Sequence, residues 1–206
     1  KEKNSRAKLR YEEIRAALKM KLELAKLKEV KDLKIKWKPN VPYLVFHKGK
    51  TMFGKLISLG TFCPFSHVDI VINGKSYTAD GSGIGEHELK PWSEIVVYEL
   101  TDKVDVKILY KYIHETLGNP YGYFRLLKAQ IFGLPTKASK DKLDSFFCSH
   151  WVTSALDKAT RMILKFRGKD IKDLGYDTFS PKLLFNFMVN SKGLVKSTNS
   201  LTGDQK

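Results

Sequence analysis

Two side chains in this sequence have the types and surroundings that nucleophilic catalysis needs: Cys148, in FFCSHWVTSALDKA, and His67, in FSHVDIVINGKSYTAD. A thiol attacks a carbonyl as its thiolate, and it needs an imidazole to take its proton and later give one to the leaving group. Asp144 or Ser145 suits the N-cap of a helix running through Val152, Ala155 and Leu156, which puts Cys148 in the first turn. The unpaired N–H groups and the positive dipole end there favour a thiolate and can hold a developing oxyanion. His150 lies two positions on, about 200° round the helix, and does not face the sulfur. His67 is therefore the better partner. Cys63, before Pro64 in the loop-like TFCPF, has no helix start to activate it and reads as structural. Cys63, His67, Cys148 and His150 are also zinc-binding residue types, but the spacings C-x3-H and C-x-H are not those of common zinc modules. The chemistry calls for no metal and no organic cofactor.

The third group comes from a hairpin. Asn73-Gly74 between two runs of strand type predicts a two-residue type I′ turn, because both central positions need positive φ. Ile72 then pairs with Lys75, and the same register carries His67 opposite Asp80, with Cβ atoms about 4.5–5.5 Å apart. Asp80 in that position would orient the imidazole. One face carries His67, Asp69, Thr78 and Asp80, and the other carries Val68, Ile70, Ile72, Tyr77 and Ala79. Such a polar stripe is also what the solvent face of a half-buried hairpin looks like, and a slip of one residue would break the pairing. Asp69, two residues along the strand from His67, is a competing acid.

These residues need a scaffold, and the chain is long enough to supply one. With 206 residues, 42% apolar and 12% aromatic, it can bury one sizeable core. VPYLVFH (41–47) and SEIVVYEL (93–100) read as strands. KTMFGKLISLG reads as a short helix or loop. DVKILYKYIHETLG (105–118), YFRLLKAQIFG and FFCSHWVTSALDKA have helical spacing, and a last helix starts at SPKLLFNFM with Ser180 as N-cap and Pro181 in its first turn. A small antiparallel sheet followed by a helical half is an α+β arrangement. Residues 4–30 lack Pro and Gly and predict one long helix. We expect three parts: a basic helical arm over 1–38, a catalytic domain over 39–190 and a polar flexible tail over 191–206.

The formal net charge of +15 is unevenly spread. Residues 1–38 hold 14 Lys/Arg against 6 Asp/Glu, so under a fifth of the chain carries half of the excess. That makes the arm the candidate contact for an anionic surface, a nucleic acid or a protein partner. No segment reaches the run of 18 or more apolar residues that a membrane-spanning helix needs, and the N-terminus is not of signal-peptide type, so a soluble protein is expected.

A histidine in SHVDIVI, an acidic residue on the next strand in YTADGSGIGEHEL and, much later, a cysteine opening a helix in FFCSHWV together resemble the circularly permuted NlpC-like hydrolases of the papain-like cysteine peptidase superfamily. The resemblance covers roughly residues 40–190 and extends to GNPYGYF and DTFSPKLL. It implies a papain-like sheet packed on helices, with Cys148 as nucleophile, His67 as base and then acid, and Asp80 orienting the imidazole. It also places Tyr121, with Asp69, beside the substrate cleft, while Phe147 and Trp151 read as packing residues. The implied reaction is hydrolysis of an amide bond, in a peptide and for some relatives a bacterial cell-wall peptide, through an acyl-enzyme. Two rival readings are a lipid acyltransferase or thioesterase of the same fold and a non-catalytic basic module of a virion or secretion apparatus. The implied settings are the bacterial cytoplasm or periplasm, or a virion.

Overall fold

The computed structural model describes residues 28–29, 35–48, 64–89, 94–122, 146–160, 164–166, 169–176, 179–191 and 193–197. The segments rich in β-branched and aromatic residues become the strands β2 (Pro42–Lys48), β3 (Phe65–Ile72) and β6 (Glu94–Leu100). β4 (Lys75–Asp80) and β5 (Gly83–His87) complete a meander, and with β1 (Lys28–Glu29) the strand order is β1-β6-β2-β3-β4-β5 with every pairing antiparallel. Asn73 and Gly74 both have positive φ, 53° and 79°, as a type I′ turn requires. The fold is α+β.

Helix α1 (Val106–Thr116) is capped by Asp105, whose carboxylate accepts from the amides of Lys107 and Ile108. Helix α2 (Cys148–Ala159) packs on α1, β3 and β4. Trp151 Nε1 donates to Thr116 Oγ1 at 2.9 Å and Tyr112 donates to Ser154 Oγ at 2.8 Å, so the two helices are joined by buried polar contacts as well as by packing. Two short strands, β7 (Lys165–Phe166) and β8 (Lys169–Asp170), and one helical turn, α3 (Ile171–Leu174), lead to α4 (Pro181–Asn190). Ser180 Oγ accepts from the amide of Leu183 at 3.1 Å, and Pro181 occupies the first turn, where its missing N–H costs nothing.

Apolar residues leave the sheet on both faces. Leu44, Phe46, Val68, Ile70, Ile72, Tyr98 and Phe185 belong to the main core against the helices. On the opposite face Tyr43, Val45, Val71 and Ile95 form a second cluster, with Ile35, Trp37 and Val41 packed on it. Trp37 meets Tyr43 edge-on at 5.0 Å between ring centroids. The second cluster changes the status of the hairpin's polar stripe: Asp69, Ser76 and Thr78 are all buried. The middle of the stripe is thus not a solvent face, while His67 and Asp80 are partly exposed.

Three sequence expectations about the ends need correction. Residues 28–29, placed in a long helix, form β1 (Lys28–Glu29) and pair with Ile95 and Glu94 of β6. Ile35 and Trp37, placed in the helical arm, pack against the sheet. The tail expected from 191 onward contains β9 (Val195–Ser197), which pairs with Tyr98–Leu100 of β6, and Leu194, which is buried in the main core. The remainder of the basic arm, KTMFGKLISLG, Cys63 and the helix expected at YFRLLKAQIFG lie outside the described residues. Among the described residues, no helix is long and apolar enough to cross a membrane.

Candidate active site

The site forms where the hairpin ladder ends. β3 and β4 pair from Ile72/Lys75 to Ile70/Tyr77, the register that the turn predicts. Beyond Tyr77 the main-chain pairing stops and side chains take over: Thr78 Oγ1 lies 2.8 Å from His67 Nε2 and donates more weakly, at 3.4 Å, to the Val68 carbonyl. On its other side β3 pairs with β2, placing His67 opposite His47, and the register then shifts so that Phe65 faces Lys48. Ser66 absorbs the irregularity, which lets Phe65 and Val68 both enter the main core while His67 stays on the other face.

Cys148 is the first residue of α2, with Phe147 as N-cap and no side-chain cap among the described residues. The helix thus starts at the cysteine itself, later than a cap at Asp144 or Ser145 would give. The backbone holds this position: Phe146 donates its amide to the Pro120 carbonyl at 3.1 Å and accepts from Gly122 at 2.7 Å, and Tyr121 bridges Phe146. The same loop reaches β5, since Ile84 donates to the Asn119 carbonyl at 2.9 Å and Gly118 donates to Ile84 at 2.8 Å. Gly83 is required there. It has φ +114°, and a Cβ on it would meet the Asn119 carbonyl oxygen at 2.7 Å. Tyr121 packs on the buried Phe147, one residue before the sulfur, which puts it beside the candidate site. Phe147 and Trp151 are both fully buried packing residues.

Cys148 lies near enough to His67 for its sulfur to act on the imidazole. Burial works against a charged His67, but the Cys148 sulfur and the Asp69 carboxylate outweigh it and hold the imidazole well above the ordinary histidine value of 6.5. Cys148 is 2% exposed, whereas the His67 side chain is 28% exposed, so an incoming group meets the imidazole side first.

Asp69 is the acid against the imidazole. Its Oδ1 lies 2.9 Å from His67 Nε2, an ion-pair contact without hydrogen-bond alignment, while Oδ2 accepts from Ser76 Oγ at 2.8 Å and meets His47 Nε2 at 2.8 Å. Burial opposes its ionisation, yet the His47 and His67 imidazoles overcome this and keep the carboxyl well below its ordinary 3.8. Asp80, expected to orient His67, is engaged elsewhere: its Oδ1 accepts from the amide and hydroxyl of Ser82 at 2.9 and 2.6 Å, and its Oδ2 lies 3.7 Å from His87 Nε2. The pairing of β4 with β3 ends at Ile70/Tyr77, while its pairing with β5 runs on to Asp80/Gly83. Sequence reasoning places Thr78 on the right face but gives it no role, and it passes over His47 and Ser76. His47 ends the VPYLVFH strand, and its meeting with Asp69 depends on a strand order that periodicity does not encode.

His150, one of the zinc-type residues, is buried among the rings of Phe146, Phe147 and Tyr176, at centroid distances of 5.1, 5.4 and 6.1 Å. Among the described residues no group of three or more His, Cys, Asp or Glu side chains is arranged to hold a metal ion.

No protein-family profile matches the chain, and no curated protein matches it. A solved structure similar to it is that of the metalloprotein yiiX from Escherichia coli O157:H7, at 19% sequence identity and a TM-score of 0.46, covering 82% of this chain and 93% of that one. The resemblance to circularly permuted NlpC-like cysteine hydrolases is therefore corrected. With no family profile and no curated protein matching it, the chain is not assigned to that family or to its finer fold type.

Proposed function

We propose that this protein is a cysteine hydrolase that cleaves an amide bond through an acyl-enzyme, with Cys148 as nucleophile, His67 as general base and then general acid, and Asp69 as the carboxylate that orients the imidazole. The observation that carries the reading is a cysteine at a helix N-terminus whose sulfur acts on an imidazole with its Nε2 already occupied by Thr78 and Asp69. That occupancy leaves Nδ1 for the thiol proton. The thiolate attacks the carbonyl carbon, and the amide of Cys148 and its neighbours in the first turn stabilise the oxyanion. The tetrahedral species collapses, the C–N bond breaks, and His67 gives its proton to the departing amine. Water then attacks the thioester, losing a proton to His67, and the carboxylic acid leaves as the thiol reforms.

A peptide amide is the substrate class we favour, and an ester or thioester would pass through the same steps. Intact-protein mass spectrometry with a panel of peptidyl and acyl electrophiles, comparing the parent with Cys148→Ala, tests the reading. The expected result is a single adduct mapped to Cys148 and absent from the variant, with peptidyl electrophiles the faster class. Faster acyl-ester adducts would transfer the assignment to a lipid acyltransferase or thioesterase. Failure of every electrophile to label Cys148 would overturn hydrolysis and leave a binding module.

A further inference from the structure

We propose that His47 is a positioning residue for this site, holding the Asp69 carboxylate in the rotamer that keeps its second oxygen against His67. The inference rests on the hydrolase reading above and adds a residue to it.

The geometry of one carboxylate between two imidazoles points this way. Asp69 is 5% exposed, so no bulk water fixes its orientation. Oδ2 is held by two groups from the flanking strands, His47 Nε2 of β2 and Ser76 Oγ of β4, each at 2.8 Å. Oδ1 is the oxygen that faces the catalytic ring, at 2.9 Å and without hydrogen-bond alignment of its own. The contact that matters for catalysis is thus the poorly anchored one, and its position is inherited from the well-anchored side. A terminal Asp torsion is broad and roughly two-fold, so without the Oδ2 anchors the carboxylate can swing away from His67. The titratable groups facing Asp69 are His47 from β2 and His67 from its own strand; β4 brings the Ser76 hydroxyl to Asp69 and the Thr78 hydroxyl to His67, and its Asp80 carboxylate also acts on His67. Cys148 of α2 acts one step further, through His67, and the residue beside His47 on β6 is the apolar Ile95. The two imidazoles lie 5.6 Å apart between centroids, tilted by 58°, so they meet the carboxylate from different directions.

The anchor requires His47 to carry a proton on Nε2, and this can be read in the unaltered protein. Long-range nitrogen–proton NMR correlation should show His47 protonated at Nε2 near pH 7; an unprotonated Nε2 there would overturn the proposal without any variant being made. In His47→Ala, iodoacetamide should alkylate Cys148 about tenfold more slowly at pH 7, and the His67 titration should move down toward its ordinary value. His47→Gln, which keeps an amide donor in the same reach, should restore both. Unchanged alkylation and His67 titration in His47→Ala, or a Gln variant as impaired as the Ala variant, would also overturn it. If the parent protein forms no adduct on Cys148 with any electrophile, the hydrolase reading fails; if it forms one and His47→Ala forms it equally fast, only the role of His47 fails.

Discussion

At the scale of single residues, the site depends on which acid faces His67. Turn chemistry predicts the register of the hairpin, and the pairs nearest the turn follow it, but Asp80 would meet His67 only if the ladder ran on past Ile70 and Tyr77. It does not, and the Asp80 carboxylate instead accepts from the amide and hydroxyl of Ser82. Asp69 instead reaches Nε2 from its own strand. Asp69→Asn should therefore lower the His67 titration and slow Cys148 alkylation at pH 7 by tenfold or more, since an opposite charge in contact changes a group's proton affinity by roughly tenfold or more. Asp80→Asn should have the smaller effect, within about twofold, because its hydrogen bonds go to Ser82 and His67 is the last of the influences on it. The linkage to stability has two limbs. The lowered carboxyl of Asp69 contributes fully above 3.8 and loses its contribution as pH falls through its folded value. The raised imidazole of His67 contributes fully below 6.5 and loses its contribution as pH rises through its folded value. Chemical denaturation of parent and Asp69→Asn across pH should show the gap between them widest between 3.8 and 6.5 and narrowing on both sides.

At the scale of elements, most of the scaffold is legible in local signals. The Asn-Gly turn, the strands at 42–48 and 94–100, and the helix after Asp105 follow from residues within a few positions of each other. The Ser180-Pro181 helix start does too. Tertiary partners cannot be read in this way. His47 meets Asp69 because β2 lies between β3 and β6, and the packing of Ile35 and Trp37 on the apolar cluster of that face is equally remote from local signals. The link from β5 to the cysteine is of this kind. Gly83 allows the Asn119 carbonyl to approach, and the same loop pins Phe146 just before α2. Gly83→Ala combines an unfavourable φ with a backbone clash and should cost about 1–3 kcal/mol. Its effect on Cys148 alkylation should exceed that of an equally destabilising change in α4, because the displaced loop carries the N-terminus of α2. Thermal unfolding and alkylation measured side by side would reveal it; a loss of stability with alkylation unchanged would mean that the link does not position the thiol.

At the scale of the whole molecule, β6 joins distant parts of the chain. One edge pairs with β2, and the other is shared by β1, opposite Glu94–Ile95, and β9, opposite Tyr98–Leu100. An uncovered edge of this length is a template for pairing with a second copy. Removing residues 191–206 takes away β9 and Leu194, a buried core side chain worth about 1.5–3 kcal/mol. The shortened protein should unfold at lower denaturant and associate with rising concentration in light scattering, while an unshifted midpoint and a monomer at all concentrations would show that β9 adds nothing. The same arrangement bears on biosynthesis. The strand that covers half of this flank emerges from the ribosome after every other described element, so a chain still being translated carries its sheet with that margin bare. The interval before residue 197 is released is thus when a nascent copy is most open to pairing with its neighbour on the same message.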